Sequence, residues 1–247
     1  MVALIEPQII YADDQLLILD KPAGWLTHLA TPVGVNPSAP AITDWLLANH
    51  PLLAAIGPAE RLQDGTTVLR AGILHRLDRE TSGILAVAQT APAFAWFTRA
   101  FRERTVEKIY RAIVVGVVKP DDGMIDWPIG RSRQDPRRRV ASQKAAGVLR
   151  AAVTYFQVLE RFAHHTYLEL KPKTGRTHQL RVHLKALQHP ILGDDLYAPQ
   201  APKLSTIARL ALHAFALTVP YPQGARRRFA APLPADFQLT LDYLRES

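Results

Sequence analysis

Apolar and polar positions along this chain recur at two periods, and each period marks its own segments. Gln8-Ile-Ile-Tyr11 and Leu16-Leu-Ile-Leu-Asp20 are short apolar runs on either side of Asp13-Asp14, a pattern that predicts two strands joined by a turn. Lys21-Pro-Ala-Gly24 stops the second run, because proline lacks a donor and glycine admits a positive φ. Between Ala91 and Arg104 the spacing changes to three and four: Phe94, Phe97, Ala100 and Phe101 share one face of a predicted helix, with Pro92 in its first turn. Glu107–Val118 is long and apolar on both faces, as a central strand would be, and Lys119-Pro-Asp-Asp-Gly123 turns it back. Met124–Pro128 reads as a short strand, and Ala151–Leu159 with Tyr167–Leu170 as an antiparallel pair separated by Glu160–His165.

Helices are predicted at Thr43–Asn49, with Thr43 as N-cap, and from Thr177 to about Leu187. In the second, Thr177 is the cap, Leu180, Leu184 and Leu187 face inward, and Arg181 faces away. Ile207–Val219 adds another strand or a helix–strand step, and Pro234-Ala-Asp-Phe237 opens a C-terminal helix with Asp236 at its positive end. Neither an internal repeat nor a linker is visible. The expectation is one α+β domain, residues 1–247, on a mixed or antiparallel sheet, with the proline-rich stretch 25–70 as a loop-rich insertion beside the site.

One stretch breaks these patterns. Ile73-Leu-His-Arg-Leu-Asp-Arg-Glu-Thr-Ser-Gly-Ile-Leu85 sets a carboxylate among guanidiniums between two apolar segments. Aspartate is depleted in strands, and a charge withdrawn from water needs partners. Taken alone, Asp78 with its neighbours reads as a loop salt bridge; in a desolvated cleft it reads as a catalytic carboxylate held by an arginine. By residue type Arg76, Arg79, Arg176 and Arg181 qualify as that partner.

Composition narrows the choice. The 247 residues are 48% hydrophobic and 21% charged, as in folded soluble proteins. The absence of cysteine excludes disulfides, zinc ribbons and thiol catalysis, and suits a reducing cytoplasm. Ala112–Val118 is too short an apolar run to span a bilayer, so no membrane is expected. Thirty basic residues against 22 acidic leave a net charge of +8, which suits a polyanionic partner. Arg131–Lys144 alone carries six positive charges and one negative.

Metal hydrolysis finds little support: there is no HExxH, and His178 and His183 fall on different helix faces. A glycosidase wants two separated carboxylates, whereas Asp78 and Glu80 are two residues apart. No phosphate-binding or dinucleotide fingerprint appears.

Several blocks, in order, do resemble a known family. His75-Arg-Leu-Asp-Arg-Glu-Thr-Ser-Gly83, Lys108-Ile-Tyr-Arg-Ala112 and Lys171-Pro-Lys-Thr-Gly-Arg-Thr-His-Gln-Leu-Arg181 resemble the RluA family of RNA pseudouridine synthases. The opening Tyr11-Ala-Asp-Asp-Gln, with Asp20-Lys-Pro-Ala-Gly24, and the late His189-Pro-Ile-Leu-Gly-Asp194 are similar to further landmarks of that family. The resemblance implies a bisected, mainly antiparallel sheet and isomerisation of uridine within RNA, with no metal or other cofactor. It implies that Asp78 is the catalytic aspartate, Tyr110 the tyrosine that stacks on the target base, and Arg181 the cation paired with the aspartate. Arg76 matches an arginine that fills the gap left by a flipped nucleotide. His75 and Arg79 around the aspartate, Lys171, Arg176 and His178 in the third block, and Arg133, Arg137, Arg138 and Arg139 in the basic run are then expected RNA contacts. The expected partner is a ribosomal or transfer RNA stem-loop, without an obligate protein partner.

The family pattern begins within the first dozen residues, so the N-terminal S4-type domain of many relatives is not expected. The competing reading is a non-catalytic RNA-binding or RNA-folding module on the same scaffold.

Overall fold

The computed structural model describes residues 5–28, 39–61, 67–141, 146–222 and 224–247. The 25–70 stretch is thus described only in part (Pro32 and Pro37 lie outside), and Ser142, Gln143 and Lys144 of the basic run also lie outside the described residues. The chain divides into two compact units, Met1–Val106 with Ala216–Ala231 and Glu107–Phe215 with Pro232–Ser247.

In the first unit, β1 (Gln8–Ala12) and β2 (Leu16–Lys21) form the expected hairpin. Asp13 builds its turn: Oδ1 accepts from the amides of Gln15 and Leu16 at 2.9 and 2.8 Å. Helix α1 is Ile42–Asn49, and here the expected cap is wrong. Ala41, not Thr43, is the extended residue before the helix, because Leu26 accepts from the Ile42 amide and donates to the Pro40 carbonyl. That bridge holds residue 41 in strand-like geometry, and Thr43 falls inside the first turn, buried. A small pair, β3 (Ala59–Arg61) and β4 (Thr67–Leu69), follows. Strand β5 (Ser82–Ala88) is buried throughout and pairs antiparallel with β2, Leu16 opposite Ala88 and Lys21 opposite Gly83.

Helix α2 (Ala91–Arg102) has Thr90 as its cap and ends two residues before the predicted end. Arg104 there adopts a left-handed φ of 61° as the Thr105 amide reaches back to the Ala100 carbonyl. Its inner face, Ala93, Phe97 and Ala100, packs on Leu16, Ile18, Ile84 and Ala86 to make the core of this unit. The phenylalanine stripe is therefore core.

In the second unit, β6 (Glu107–Val115) ends three residues early. The cause is tertiary: at Gly116, φ 87°, a Cβ would lie 2.9 Å from Nδ1 of His189, whose ring sits on the Val115 carbonyl. Short strands β7 (Asp122–Ile125), β8 (Ile129–Arg131), β9 (Arg139–Ala141) and β10 (Ala146–Arg150) come next. Then β11 (Thr154–Arg161) and β12 (His165–Pro172) form the predicted antiparallel pair, extended into the expected loop, which shrinks to Phe162–His164. The larger sheet here runs β6-β12-β11-β7, and β10-β8-β9 forms a separate basic sheet.

Helix α3 (Gln179–Ala186) follows. Strand β13 (Leu212–Pro220) carries the chain back to the first unit, where Ala216–Pro220 pairs with β14 (Arg226–Ala230). Helix α4 (Ala235–Glu246) closes the chain as predicted, with Asp236 in its first turn and doubly bonded to Arg209. Its Phe237, Leu241 and Leu244 join Ile113, Leu168, Leu170, Leu180 and Leu184 in the core of the second unit. Every ladder described within a unit is antiparallel, so the α+β class and mainly antiparallel sheet are as expected. Among the described residues no helix is long and apolar enough to cross a membrane.

Candidate active site

Asp78 lies in the first unit, in the loop that enters β5. The main chain on both sides of it is clamped. Leu77 exchanges two hydrogen bonds with the Thr27 hydroxyl, donating through its amide and accepting at its carbonyl, at 3.2 and 2.9 Å. The Arg79 carbonyl accepts from the Gly24 amide at 2.9 Å and from Lys21 Nζ at 3.1 Å. Lys21 is completely buried and also donates to the carbonyls of Pro22 and Trp25. A buried ammonium needs its donors satisfied, and here three carbonyls of two loops do it. The Asp78 carbonyl accepts from the Thr81 amide and tightens the turn. The carboxylate is thus carried on a rigid loop while its side chain remains partly exposed.

Three neighbours of Asp78 expected to meet RNA behave differently. Arg76 is exposed, and Arg79, also exposed, lies 3.3 Å from Glu80 and donates to the Gly24 carbonyl. His75 is built into the fold: its Nε2 accepts from the Ala86 amide at 3.1 Å, and its ring stacks on Phe101 with centroids 5.0 Å apart.

His28 sits near Arg70 and Arg76; burial first, then those two charges, push its pKa down to about 4. A depressed histidine is neutral in the native state, so its stability contribution is whole above the unfolded value of 6.5. It is lost as pH falls from there toward 4 and changes no further below. We expect the unfolding free energy from urea titrations to drop over this interval, and the drop to be smaller in His28→Gln by on the order of 2–3 kcal/mol. Superimposable pH profiles of the two proteins would contradict this.

Tyr110, Arg181 and the remaining predicted residues belong to the second unit. Tyr110 stands on β6 opposite Leu170 of β12, partly buried against the core. Helix α3 does not begin as expected. Its cap is His178 in the left-handed region, φ 55°, with no side-chain cap, and Thr177 lies outside the helix, exposed. A polar chain beneath the helix takes the place of the cap. The His183 Nε2 lies 2.9 Å from the Trp127 carbonyl, which can only accept, so Nε2 carries the proton and Nδ1 accepts from the Thr154 hydroxyl. Thr154 in turn accepts from Gln179 Nε2, and Gln179 Oε1 accepts from the Thr174 hydroxyl and the Arg176 amide. Thr174 accepts from the Val153 amide. Every hydroxyl and amide in the chain has one direction. Burial keeps the His183 pKa below its ordinary value, consistent with the neutral tautomer.

From this fixed start, Arg181 projects not to solvent, as its place on the helix predicted, but into a nearly buried ion pair. Its Nε and Nη2 donate to Oδ2 and Oδ1 of Asp194 at 2.9 and 2.7 Å. The two side chains are only 12% and 1% exposed. Asp194 also accepts from the amides of Leu196 and Tyr197, and the Tyr197 ring lies under the guanidinium at 5.1 Å. The Tyr197 hydroxyl reaches His178 Nδ1 and the Arg139 amide, both at 2.9 Å.

The predicted basic residues divide into two groups. Arg137 and Arg138 turn onto Asp135, and Lys171 pairs with Glu169, which also holds Arg111. Arg133 is exposed, while Arg139 and Arg176 give only main-chain carbonyls a share of their guanidinium N–H groups. Sequence reasoning missed Lys21, Thr27, Gln179, Asp194 and Tyr197. Of these, Lys21, Gln179 and Asp194 lie within the family blocks quoted above without a role assigned to them, whereas Thr27 and Tyr197 left no mark.

Comparison with known proteins places this geometry. The family model described as RNA pseudouridylate synthase matches residues 15–186. The ribosomal large subunit pseudouridine synthase D of Neisseria meningitidis serogroup B is 40% identical over 247 residues, covering 96% of this chain and 61% of that protein. This chain therefore spans about three-fifths of that relative's length. The enzyme of the same name from Pseudomonas aeruginosa is 38% identical over 254 residues, with 98% and 73% covered. Among solved structures, human RNA pseudouridylate synthase domain containing 4 superposes with a TM-score of 0.71 at 29% identity, covering 96% of this chain and 92% of that one. With a family match over most of the chain, and relatives that share its sequence nearly end to end, the chain belongs to the RNA pseudouridylate synthase family.

Proposed function

We propose that this protein isomerises uridine to pseudouridine within RNA, with Asp78 as the catalytic carboxylate. The observation that carries the reading is the family match spanning residues 15–186, which includes the clamped Asp78 loop, Tyr110 and Arg181. The reaction breaks the N1–C1′ bond of a uridine and makes a C5–C1′ bond; C5 loses a proton and N1 gains one. Nothing is oxidised or reduced. A base cannot turn within a helical stack, so the nucleotide must be everted, at a cost of a few kcal/mol.

Stacking of the everted base on Tyr110 would return about 1–3 kcal/mol. Arg76, exposed on the Asp78 loop, is suited to fill the gap in the RNA stack with its planar guanidinium. Arg181 is proposed to hold the ionised carboxylate of Asp78, while Asp194 and Tyr197 keep the guanidinium in one orientation. Both relatives compared above are named for the large ribosomal subunit, which favours ribosomal RNA as substrate.

The decisive measurement uses RNA labelled with tritium at uridine C5. Isomerisation replaces the C5–H bond, so tritium should appear in water in proportion to pseudouridine formed. RNA that is bound without tritium release would support a binding module instead and end the enzymatic reading.

A further inference from the structure

The cationic side chains of the second unit are not equivalent, and the difference points to a ligand. Arg137 and Arg138 share the single carboxylate of Asp135. Arg131, Arg139, Arg150 and Arg176 instead line one open cavity of about 420 Å³ between the β10-β8-β9 sheet and the loop that precedes α3. No carboxylate lines it, and among the described residues none of the four is ion-paired. Four guanidiniums facing a shared space repel one another, and a fold tolerates that where an anion occupies the space. Three glycines, Gly130, Gly147 and Gly175, also line it. Gly147 has φ +72°, and a Cβ built on it would meet nothing within 4 Å, so the backbone there lies open to a ligand.

We propose that this cavity is a subsite for two consecutive phosphodiesters of the RNA strand, an inference that rests on the RNA-modifying function above. Guanidinium forks match phosphate oxygens in pairs, and a cavity of this size with four forks exceeds the needs of one phosphate. Arg176 precedes Arg181 by five residues, and its amide is fixed by Gln179 at the start of α3. A strand anchored here would be held in register with the helix that carries Arg181.

Arg131 and Arg150 are exposed, so Arg131→Gln/Arg150→Gln should melt as the wild type does. Its affinity for a fluorescently labelled ribosomal stem-loop should fall about 10-fold or more. The slope of log affinity against log salt should shrink by about 0.7–0.9 for each phosphate left without its cation. In tritium release KM should rise while kcat at saturating RNA stays within about twofold. Arg131→Lys/Arg150→Lys should recover most of the salt slope, and Arg245→Gln, whose charge Glu160 and Asp242 already meet, should change affinity less than about twofold.

An unchanged slope in the glutamine double variant, an equal loss in Arg245→Gln, or a fall in kcat at constant KM would each overturn the subsite. Wild-type protein that binds RNA with the expected slope yet releases no tritium would overturn the catalytic function and leave the subsite standing.

Discussion

Asp78→Asn is expected to lower tritium release by roughly 10³-fold or more, the scale on which loss of a reacting carboxylate or its proton-transfer role is felt. RNA affinity should stay within about threefold. Asparagine keeps the size of the side chain, and the backbone groups of Leu77, Asp78 and Arg79 are held by hydrogen bonds that the substitution leaves in place. The melting temperature should therefore hold. Those three readouts separate chemistry from folding: a variant that unfolds early says nothing of mechanism, whereas a stable, RNA-binding and inert variant assigns the reaction to the carboxylate. Near-normal turnover in Asp78→Asn would remove this residue from the mechanism.

Arg181→Met should be severe in two ways at once, and the two can be separated. Removing one member of a nearly buried pair leaves Asp194 charged and 1% exposed, which costs about 3–5 kcal/mol of stability by analogy with other buried pairs. Two backbone amides still reach Asp194, so the lower end of that range is expected. The double variant Arg181→Met/Asp194→Asn no longer strands a charge and should regain more than half of the lost stability in urea titrations. It should remain inactive if the guanidinium serves the reaction. Recovery of turnover along with stability would mean that Arg181 acts only by supporting the fold.

The Asp78 block stood out in the sequence because a charged cluster between two apolar runs is rare for reasons that need no structure. The two strands of the first hairpin and the amphipathic helix over Ala91–Arg102 were legible for the same reason: each follows from a period of two or of three to four. The misplaced features depend on neighbours distant in sequence. The cap of α1 was set by a bridge from Leu26, and the end of β6 by His189. Thr177 has the right chemistry for a cap, but the left-handed turn at His178 excludes it. Lys21 looked like punctuation at the end of a strand, and of its three carbonyl acceptors the one that ties it to the Asp78 loop, Arg79, lies 58 residues away. Arg181 looked solvent-facing because its partner lies thirteen positions later, beyond the helix.

The single direction of the Trp127–His183–Thr154–Gln179 chain has a dynamic consequence. No member can reverse its donor and acceptor without forcing the next to reverse, so the segment opens as one event or stays shut. Amide protons of Val153 and Arg176, which both lead to Gln179 Oε1, the first through the Thr174 hydroxyl, should then exchange with deuterium at a common rate, although they belong to different loops. Thr154→Val would cut the sequence in the middle and let each end breathe on its own clock.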